Sequence, residues 1–192
     1  WAQELGLNNW SYDNVLPYFK RSESWEGGAD EFRGSGGPLT VTRLIYEDPL
    51  LDAFMQATEL AGYTRSDDYN GASAEGFGPM QVTIRRGRRW SAASAYLRPA
   101  VARKNVTVCT GALVHKVVFE GNRAVGVEFS SKGQLEFVRA GREVVLCGGV
   151  VNSPQLLMLS GIGSAQALQG LGIEPRVDLP GVGENLHDHI VC

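Results

Sequence analysis

Two adjacent glycines, Gly148 and Gly149, are the residues whose type and position best suit the binding of a ligand. They follow the apolar run 144–147, which ends at Cys147 and has the composition of a short buried strand. Glycine has no side chain, so the backbone here can approach a bound molecule closely. A strand that turns directly into a helix presents backbone N–H groups to an anion or a cofactor. An ordinary tight turn explains the same residues equally well.

The residues after the glycines predict the start of a helix. Pro154 suits the first helical position, and Asn152 or Ser153 can cap it. Helix formers follow over residues 155–159, and the sequence SGIG at 160–163 ends the run. The segment therefore predicts a strand, a glycine turn and a capped helix.

The order of these residues resembles a known family signature. Residues 149–163 read G-x-x-x-S-P-x-L-L-x-x-S-G-I-G, which closely resembles the second signature of the glucose–methanol–choline (GMC) family of flavin oxidoreductases. One position departs from the pattern, because Val150 stands where the family usually has a small residue. Other phrases resemble the choline-dehydrogenase branch of the family at matching intervals: EGFGPM, GRRWSAASAYLRPA, NVTVCTGA and PGVGENLHDH.

The resemblance implies an α/β fold of mixed helices and strands. It implies part of an FAD-binding, Rossmann-like domain with an antiparallel meander, together with part of a substrate-binding domain. The implied division has three parts: 1–40 as the helical and loop segment that follows the first FAD motif, 41–100 as part of the substrate-binding domain, and 101–192 as part of the FAD-binding domain.

The resemblance also implies an activity and its partners. An enzyme of this family oxidises the CH–OH group of an alcohol, here a choline-like or other primary alcohol, by hydride transfer to the flavin of FAD. The implied partners are a small-molecule alcohol and an electron acceptor such as a quinone, a dye or oxygen. Similar enzymes occur in mitochondria and in bacteria, where they lie in the cytoplasm or at the inner membrane, so the compartment stays open.

The resemblance implies cofactor contacts in two groups of residues. The first is Val114, whose backbone matches the family position that meets the adenine. The second is the glycine turn with the two residues that would hold it: Cys147, Gly148, Gly149, Ser153 and Pro154. A purely structural role remains open for each of them.

The sequence also predicts what this stretch of chain lacks. No Gly-x-Gly-x-x-Gly follows a strand, so we expect the pyrophosphate fingerprint to lie N-terminal to Trp1. The chain begins with Trp rather than Met, which predicts a fragment of a longer protein. The family's active-site histidine and its His or Asn partner lie C-terminal to His189. We therefore expect no catalytic residue here, and an isolated chain that is inactive.

Other functions stay open beside alcohol dehydrogenation. Within the family these are alcohol oxidase, hydroxynitrile lyase and photodecarboxylase, and from another class a non-catalytic binding or structural fragment. Cys147 suggests the photodecarboxylase, but residues 164–167, which read SAQA, lack the arginine that this branch pairs with its cysteine. A small apolar thiol in a core strand is the better interpretation of Cys147.

Composition and charge exclude several further classes. The net charge of −3 gives no support to nucleic-acid binding, although residues 85–89 contain four arginines. No apolar run approaches the roughly 20 residues of a membrane-spanning helix. His187 and His189 are too few for a metal ligand set, so we expect no metal site. Cys109 and Cys147 are expected to be buried free thiols, and with Cys192 they show no disulfide or zinc spacing.

The remaining patterns predict the order of elements along the chain. In the first half they predict helical structure over 1–25, a flexible surface loop over 26–40, an edge strand at 39–42, a helix at 50–61 closed by Gly62, a strand at 80–84 and a helix capped by Ser91. In the second half they predict strands at 106–109, 113–119, 124–129 and 135–139 in an antiparallel meander, a helix at 165–171 and a strand at 173–179. His115 is expected to be a surface or hydrogen-bonded histidine of the first long strand.

Overall fold

The computed structural model of the chain describes residues 1–44 and 47–189, so Cys192 lies outside the described residues. The chain divides into two units between Val108 and Cys109. Both units contain helices and strands, which confirms the mixed α/β class. The predicted division into three parts with FAD-binding and substrate-binding roles stays a prediction. Among the described residues, no helix combines the length and the apolar character needed to cross a membrane.

The strands of the first unit come from distant parts of the sequence. They are β1 (Glu23–Trp25), β2 (Leu39–Arg43), β3 (Gln81–Val82), β4 (Ile84–Arg85) and β5 (Arg88–Arg89). Strand β2 pairs in parallel with β1 and antiparallel with β3, so it is the central strand of this sheet. The prediction of an edge strand was wrong, because both partners of β2 lie outside the local sequence from which it was made.

The first two helices begin at the capping residues that the sequence indicates, but the helical structure predicted over 1–25 was wrong at 23–25, which form β1. Helix α1 (Tyr12–Ser22) begins after Ser11, whose hydroxyl accepts the N–H of Asn14. In helix α2 (Pro49–Leu60) the carboxylate of Asp48 accepts the N–H of Leu50 at 2.8 Å. Gly62 follows with φ +87°, the left-handed conformation that glycine adopts readily. A 3₁₀ turn (Asn8–Trp10) precedes α1.

A further helix follows the arginine-rich segment. It runs as a π-helical stretch (Ala93–Leu97) into α3 (Arg98–Ala102). The backbone carbonyl of Ser91 accepts the N–H groups of Ser94 and Ala95, both at 2.9 Å. The predicted start is therefore right, but the Ser91 backbone rather than its hydroxyl makes these bonds.

Arg33 lies at the centre of the first unit and is only 2% exposed. Its guanidinium donates to both carboxylate oxygens of Glu23, at 3.0 and 3.1 Å, and to Asp68 Oδ1 at 2.6 Å. It also donates to Gln81 Oε1 at 3.0 Å and lies 4.3 Å from the ring centre of the buried Trp25. A charge that is removed from water in this way is stabilised by its paired carboxylates and by the aromatic face.

The predicted surface loop 26–40 is therefore only partly a surface loop. Arg33 and Gly34 are buried, and a Cβ on Gly34 would lie 1.8 Å from the carbonyl oxygen of Lys20. The flexible interpretation was wrong at these two residues, because Gly34 allows the loop to press against the C-terminal end of α1.

The second unit begins with the antiparallel meander that the sequence predicts. Its strands are β6 (Ala112–Glu120), β7 (Arg123–Ser131) and β8 (Gln134–Arg139), and they pair in that order. Tight turns join them at Gly121 and at Lys132-Gly133, where φ is positive. The register shifts between Val114 and Lys116, so His115 lies in a bulge of β6 and is half-buried.

The remainder of the second unit contains two helices and two short strands. It contains α4 (Gly149–Leu159), β9 (Ile162–Gly163), α5 (Ala165–Gly170) and β10 (Val177–Asp178). Strands β9 and β10 pair in parallel, and Ser164 caps α5. The strand predicted over 173–179 is thus reduced to two residues, since only β9 lies beside it.

Two predicted strands do not form over the described residues. Residues 106–109 and 144–147 have no strand partner, and Val145 is 70% exposed. Cys109 and Cys147 are both exposed, so the prediction of buried thiols was wrong. An apolar run becomes a buried strand only when a neighbouring strand satisfies its backbone and covers its side chains, and no described strand does so here.

Candidate functional site

The glycine turn leads into a helix that starts earlier than predicted. Helix α4 begins at Gly149 with Gly148 as its N-cap, and Pro154 lies inside it. The prediction that Pro154 opens the helix was wrong, because Gly149 adopts φ +81° and lets the chain enter the helix five residues sooner. Pro154 leaves the carbonyl of Val150 without its usual intrahelical N–H donor.

Ser153 has a different contact from the one predicted. It does not occupy the N-cap position; instead its hydroxyl accepts the N–H of Gly148 at 3.0 Å. This bond closes the turn back onto the first turn of α4. Ser153 therefore holds the glycine turn, although from inside the helix and not from its start.

The geometry of the turn favours glycine at both positions. A Cβ on Gly148 would lie 3.0 Å from the Cβ of Asn152 and 3.2 Å from the backbone nitrogen of Ser153. Gly149 has a left-handed backbone, but a Cβ there would meet no atom within 4 Å. The outer side of the turn is therefore open space that borders bare backbone.

The N-terminus of α4 is also open to a bound group. No side chain caps it, and the first N–H groups of an α-helix have no intrahelical acceptor. Val145, Val150 and Val151, which flank the turn in sequence, are 65–73% exposed. Free N–H donors next to exposed apolar side chains suit a ligand that combines oxygen atoms with a flat apolar ring, as FAD does.

Val114, the other predicted contact residue, lies on a different element. It pairs with Phe129 across β6 and β7, next to the bulge at His115. Within the described residues, no hydrogen bond joins Val114 to the glycine turn. The structure thus places the two predicted groups on β6 and on α4, within the same unit.

Ser160 connects these two elements, and the sequence reading assigned it only to the end of a helix. Its hydroxyl donates to the carbonyl of Leu156 at 2.6 Å and accepts the N–H of Val117 at 2.8 Å. Because β6 is an edge strand of the meander, this N–H would otherwise be unpaired. Ser160 is 7% exposed and attaches the C-terminal end of α4 to the strand that carries Val114.

The glycines that follow Ser160 are also fixed by close packing. Gly161 has φ +82°, and a Cβ there would lie 2.7 Å from the carbonyl oxygen of Glu174. A Cβ on Gly163 would lie 3.1 Å from Met158 Cγ. The S-G-I-G end of the motif therefore folds α4 back against the segment that leads to β10.

Within the described residues, His187 and His189 do not belong to a cluster of side chains that could bind a metal ion. Over residues 1–44 and 47–189, no cluster of three or more His, Cys, Asp or Glu side chains could hold a metal ion. The residues of the candidate site supply backbone, hydroxyl, thiol and apolar groups.

Comparison with known proteins agrees with this motif and fold. The family model described as GMC oxidoreductase matches residues 1–191, and the chain belongs to the GMC oxidoreductase family. The resemblance drawn from residues 149–163 is confirmed. Members of this family are oxidoreductases, and the flavoprotein character predicted from the sequence is supported as well.

Individual relatives place the chain more closely. It is 52% identical over 188 residues to an oxygen-dependent choline dehydrogenase of Sinorhizobium fredii, and this match covers 98% of this chain and 34% of the relative. Pyridoxine 4-oxidase from Mesorbium loti superimposes with a TM-score of 0.85 and 37% identity, over 91% of this chain and 35% of that one. An FAD-dependent oxidoreductase from Chaetomium thermophilum superimposes with a TM-score of 0.85 and 28% identity, over 92% of this chain and 33% of that one. The chain spans about a third of the length of the curated relatives that it matches.

Proposed function

We propose that the chain is part of an FAD-dependent oxidoreductase that oxidises the CH–OH group of a small alcohol. The observation that carries this proposal is the family motif at 149–163, which forms a bare glycine turn at the open N-terminus of α4. Bound FAD supplies the acceptor for the hydride that leaves the alcohol carbon. The protein orients the cofactor and substrate and excludes water from them.

The turn residues hold the cofactor through their backbone in this proposal. Cys147, Gly148 and Gly149 would lie along it, since the open space beside Gly149 admits a bound group. Ser153 keeps the Gly148 amide turned toward the helix and so fixes the path of the turn. Pro154 stiffens the first turns of α4. Val114 would contact the adenine portion through its backbone.

The substrate we propose is choline or a similar primary alcohol. Support comes from the 52% identity to a choline dehydrogenase over nearly the whole chain. A second candidate is an alcohol oxidase that passes its electrons to oxygen, which is favoured by the 37% identity to pyridoxine 4-oxidase. The two candidates share the oxidation of the alcohol and differ in the electron acceptor.

The remaining two thirds of a relative-sized protein would supply the catalytic base. No catalytic histidine is proposed within this chain, so the 192-residue chain alone should not oxidise an alcohol. Reduction of a dye by this chain with choline as donor would overturn that part of the proposal.

The test uses the full-length protein that contains this chain. Its absorbance spectrum is recorded first, and choline, ethanol and benzyl alcohol are then titrated separately without oxygen. We expect a flavin spectrum that bleaches with choline at the lowest concentration. A protein purified without flavin, or a flavin that no alcohol bleaches, would refute the proposed function. Reoxidation by air but not by a quinone analogue would favour the oxidase over the dehydrogenase.

A further inference from the structure

The arginine-rich segment of the first unit forms a cavity that the proposed function does not use. Strands β4 and β5 make a hairpin whose two turn residues are Arg86 and Gly87, with φ of +52° and +70°. Positive φ at both turn positions matches the tight hairpin geometry that fits strand twist. Around this hairpin lies a cavity of about 510 Å³, lined by Arg85, Arg86, Arg88, Arg89 and Arg98 with Trp90 and Ser94.

The positive charge of this cavity has no counter-charge close by. Among the described residues, no carboxylate lies within 4.0 Å of any of the five guanidinium groups. The sequence explains this, because residues 76–119 contain no Asp or Glu although the whole chain has a net charge of −3. The concentration of arginine is therefore local and is not a consequence of composition.

The hairpin also places like charges directly opposite each other. Arg85 pairs with Arg88 across β4 and β5, and like charges in such a pair destabilise the hairpin. An anion bound between the two guanidinium groups would reverse the sign of this contribution. Arginine at both positions of this pair is the arrangement expected where an anion is bound.

Part of the cavity is already held in position. The indole N–H of Trp90 donates to the carbonyl of Pro38 at 2.8 Å, which fixes the ring. The guanidinium of Arg85 lies 4.7 Å from the centre of that ring, a cation–π distance. Ser94, on the helix that follows, adds a hydroxyl to the lining. A positioned guanidinium loses less freedom when it binds a ligand than a mobile one does.

We propose that this cavity binds a phosphate-bearing small molecule. The guanidinium fork matches phosphate oxygens in a bidentate geometry. A cluster of several arginines also matches the double negative charge of a phosphate more closely than the single charge of a carboxylate. The site lies wholly within the first unit and shares no residue with the glycine turn. Its occupancy therefore does not depend on the proposed flavin chemistry.

The test measures binding of inorganic phosphate to the full-length protein by titration calorimetry at constant ionic strength, with chloride as the balancing anion. We expect one saturable site that the double variant R85Q/R88Q weakens by about tenfold or more. The matched control is K132Q/R142Q, which removes the same charge from the second unit and should leave binding unchanged. Arg98→Gln, on α3 rather than the hairpin, should weaken binding as well.

Three results would overturn the proposal. They are the absence of saturable binding to the unaltered protein, an equal loss in R85Q/R88Q and K132Q/R142Q, and displacement of phosphate by FAD. The last result would show that the cavity holds the cofactor's own diphosphate. In the expected case R85Q/R88Q keeps the flavin spectrum, so failure at this cavity is distinguishable from failure of the proposed function.

Discussion

Replacing Arg33 by Met tests whether the buried charge cluster stabilises the first unit. Methionine keeps a long side chain next to Trp25 but removes the guanidinium that bridges Glu23 and Asp68. Both carboxylates are mostly buried, with side chains 17% and 21% exposed, so each loses its counter-charge in a poorly solvated place.

The size of the effect follows from these contacts. Removing one partner of a buried ion pair typically costs about 3–5 kcal/mol, because the remaining charge stays desolvated. Glu23 keeps the N–H of Gly34, and Asp68 keeps donors from Gln81 and Asn70, so neither carboxylate loses every hydrogen bond. We therefore expect R33M to destabilise the first unit by about 3 kcal/mol, the low end of that range.

The assay is urea unfolding followed by tryptophan fluorescence. Trp1, Trp10, Trp25 and Trp90 are the tryptophans of the chain, and all precede the boundary at Val108, so the signal reports the first unit alone. The matched control is R65M. Arg65 is 55% exposed and its ion pairs with Glu59 and Asp67 are 3.5–3.6 Å long, so R65M should cost below about 1 kcal/mol.

A neutralised variant separates charge from packing. If uncompensated carboxylates cause the loss, adding Glu23→Gln and Asp68→Asn to R33M should restore most of the stability. The reasoning is refuted if R33M costs no more than R65M. It is also refuted if the triple variant is less stable than R33M itself.

Three further predictions concern smaller features. Ser160→Ala leaves the Val117 N–H unpaired and should lower the stability measured by circular dichroism by about 1–3 kcal/mol. The control is Ser131→Ala, at a half-buried serine of β7 whose hydroxyl makes no hydrogen bond among the described residues, and it should change stability little; equal losses would contradict the prediction. Gly149→Ala forces φ +81° on a residue with a Cβ and should lower the amount of FAD bound by the full-length protein, whereas Gly170→Ala should not. Unchanged flavin content in Gly149→Ala would argue against contact between the glycine turn and FAD. Hydrogen bonds from the N–H groups of Arg33 and Phe32 hold the pKa of Asp30 below its ordinary value. The stability that Asp30 contributes is therefore present above about pH 4 and is lost as pH falls through the lower pKa of the folded state. Between about pH 4 and pH 2 the unfolding midpoint of D30N should fall less steeply than that of the unaltered protein, and parallel curves would disprove this.

Local chemistry was enough to predict the elements whose determinants lie within a few residues. Asp48 and Gly62 bound α2 as expected, and the turns at Gly121 and Lys132-Gly133 separate the strands of the meander. Each of these features depends on a capping side chain or on a positive φ, and both can be recognised from the sequence.

The features that the sequence did not predict depend on distant parts of the chain. Residues 144–147 are apolar enough for a strand, but a strand also needs a neighbour, and no described one lies beside them. The local sequence did not indicate that Arg33 is buried, because its partners Glu23, Asp68 and Gln81 are separated from it by 10 to 48 residues. Of the candidate site, the sequence indicated the bare glycine turn but not that Gly149 rather than Pro154 begins the helix, nor that Ser160 joins it to β6.

The spacing of contacts differs between the meander and the first unit, and this difference has a consequence for folding rate. Strands β6, β7 and β8 pair with their neighbours in sequence through tight turns, and such hairpins form within about 1–10 μs. The first unit instead joins Arg33 to Gln81, Trp90 to Pro38 and Tyr96 to Ser22, across 48, 52 and 74 residues. Closing such long loops costs entropy before any contact repays it, which slows folding. We therefore expect the meander of β6, β7 and β8 to form before the long-range contacts of the first unit.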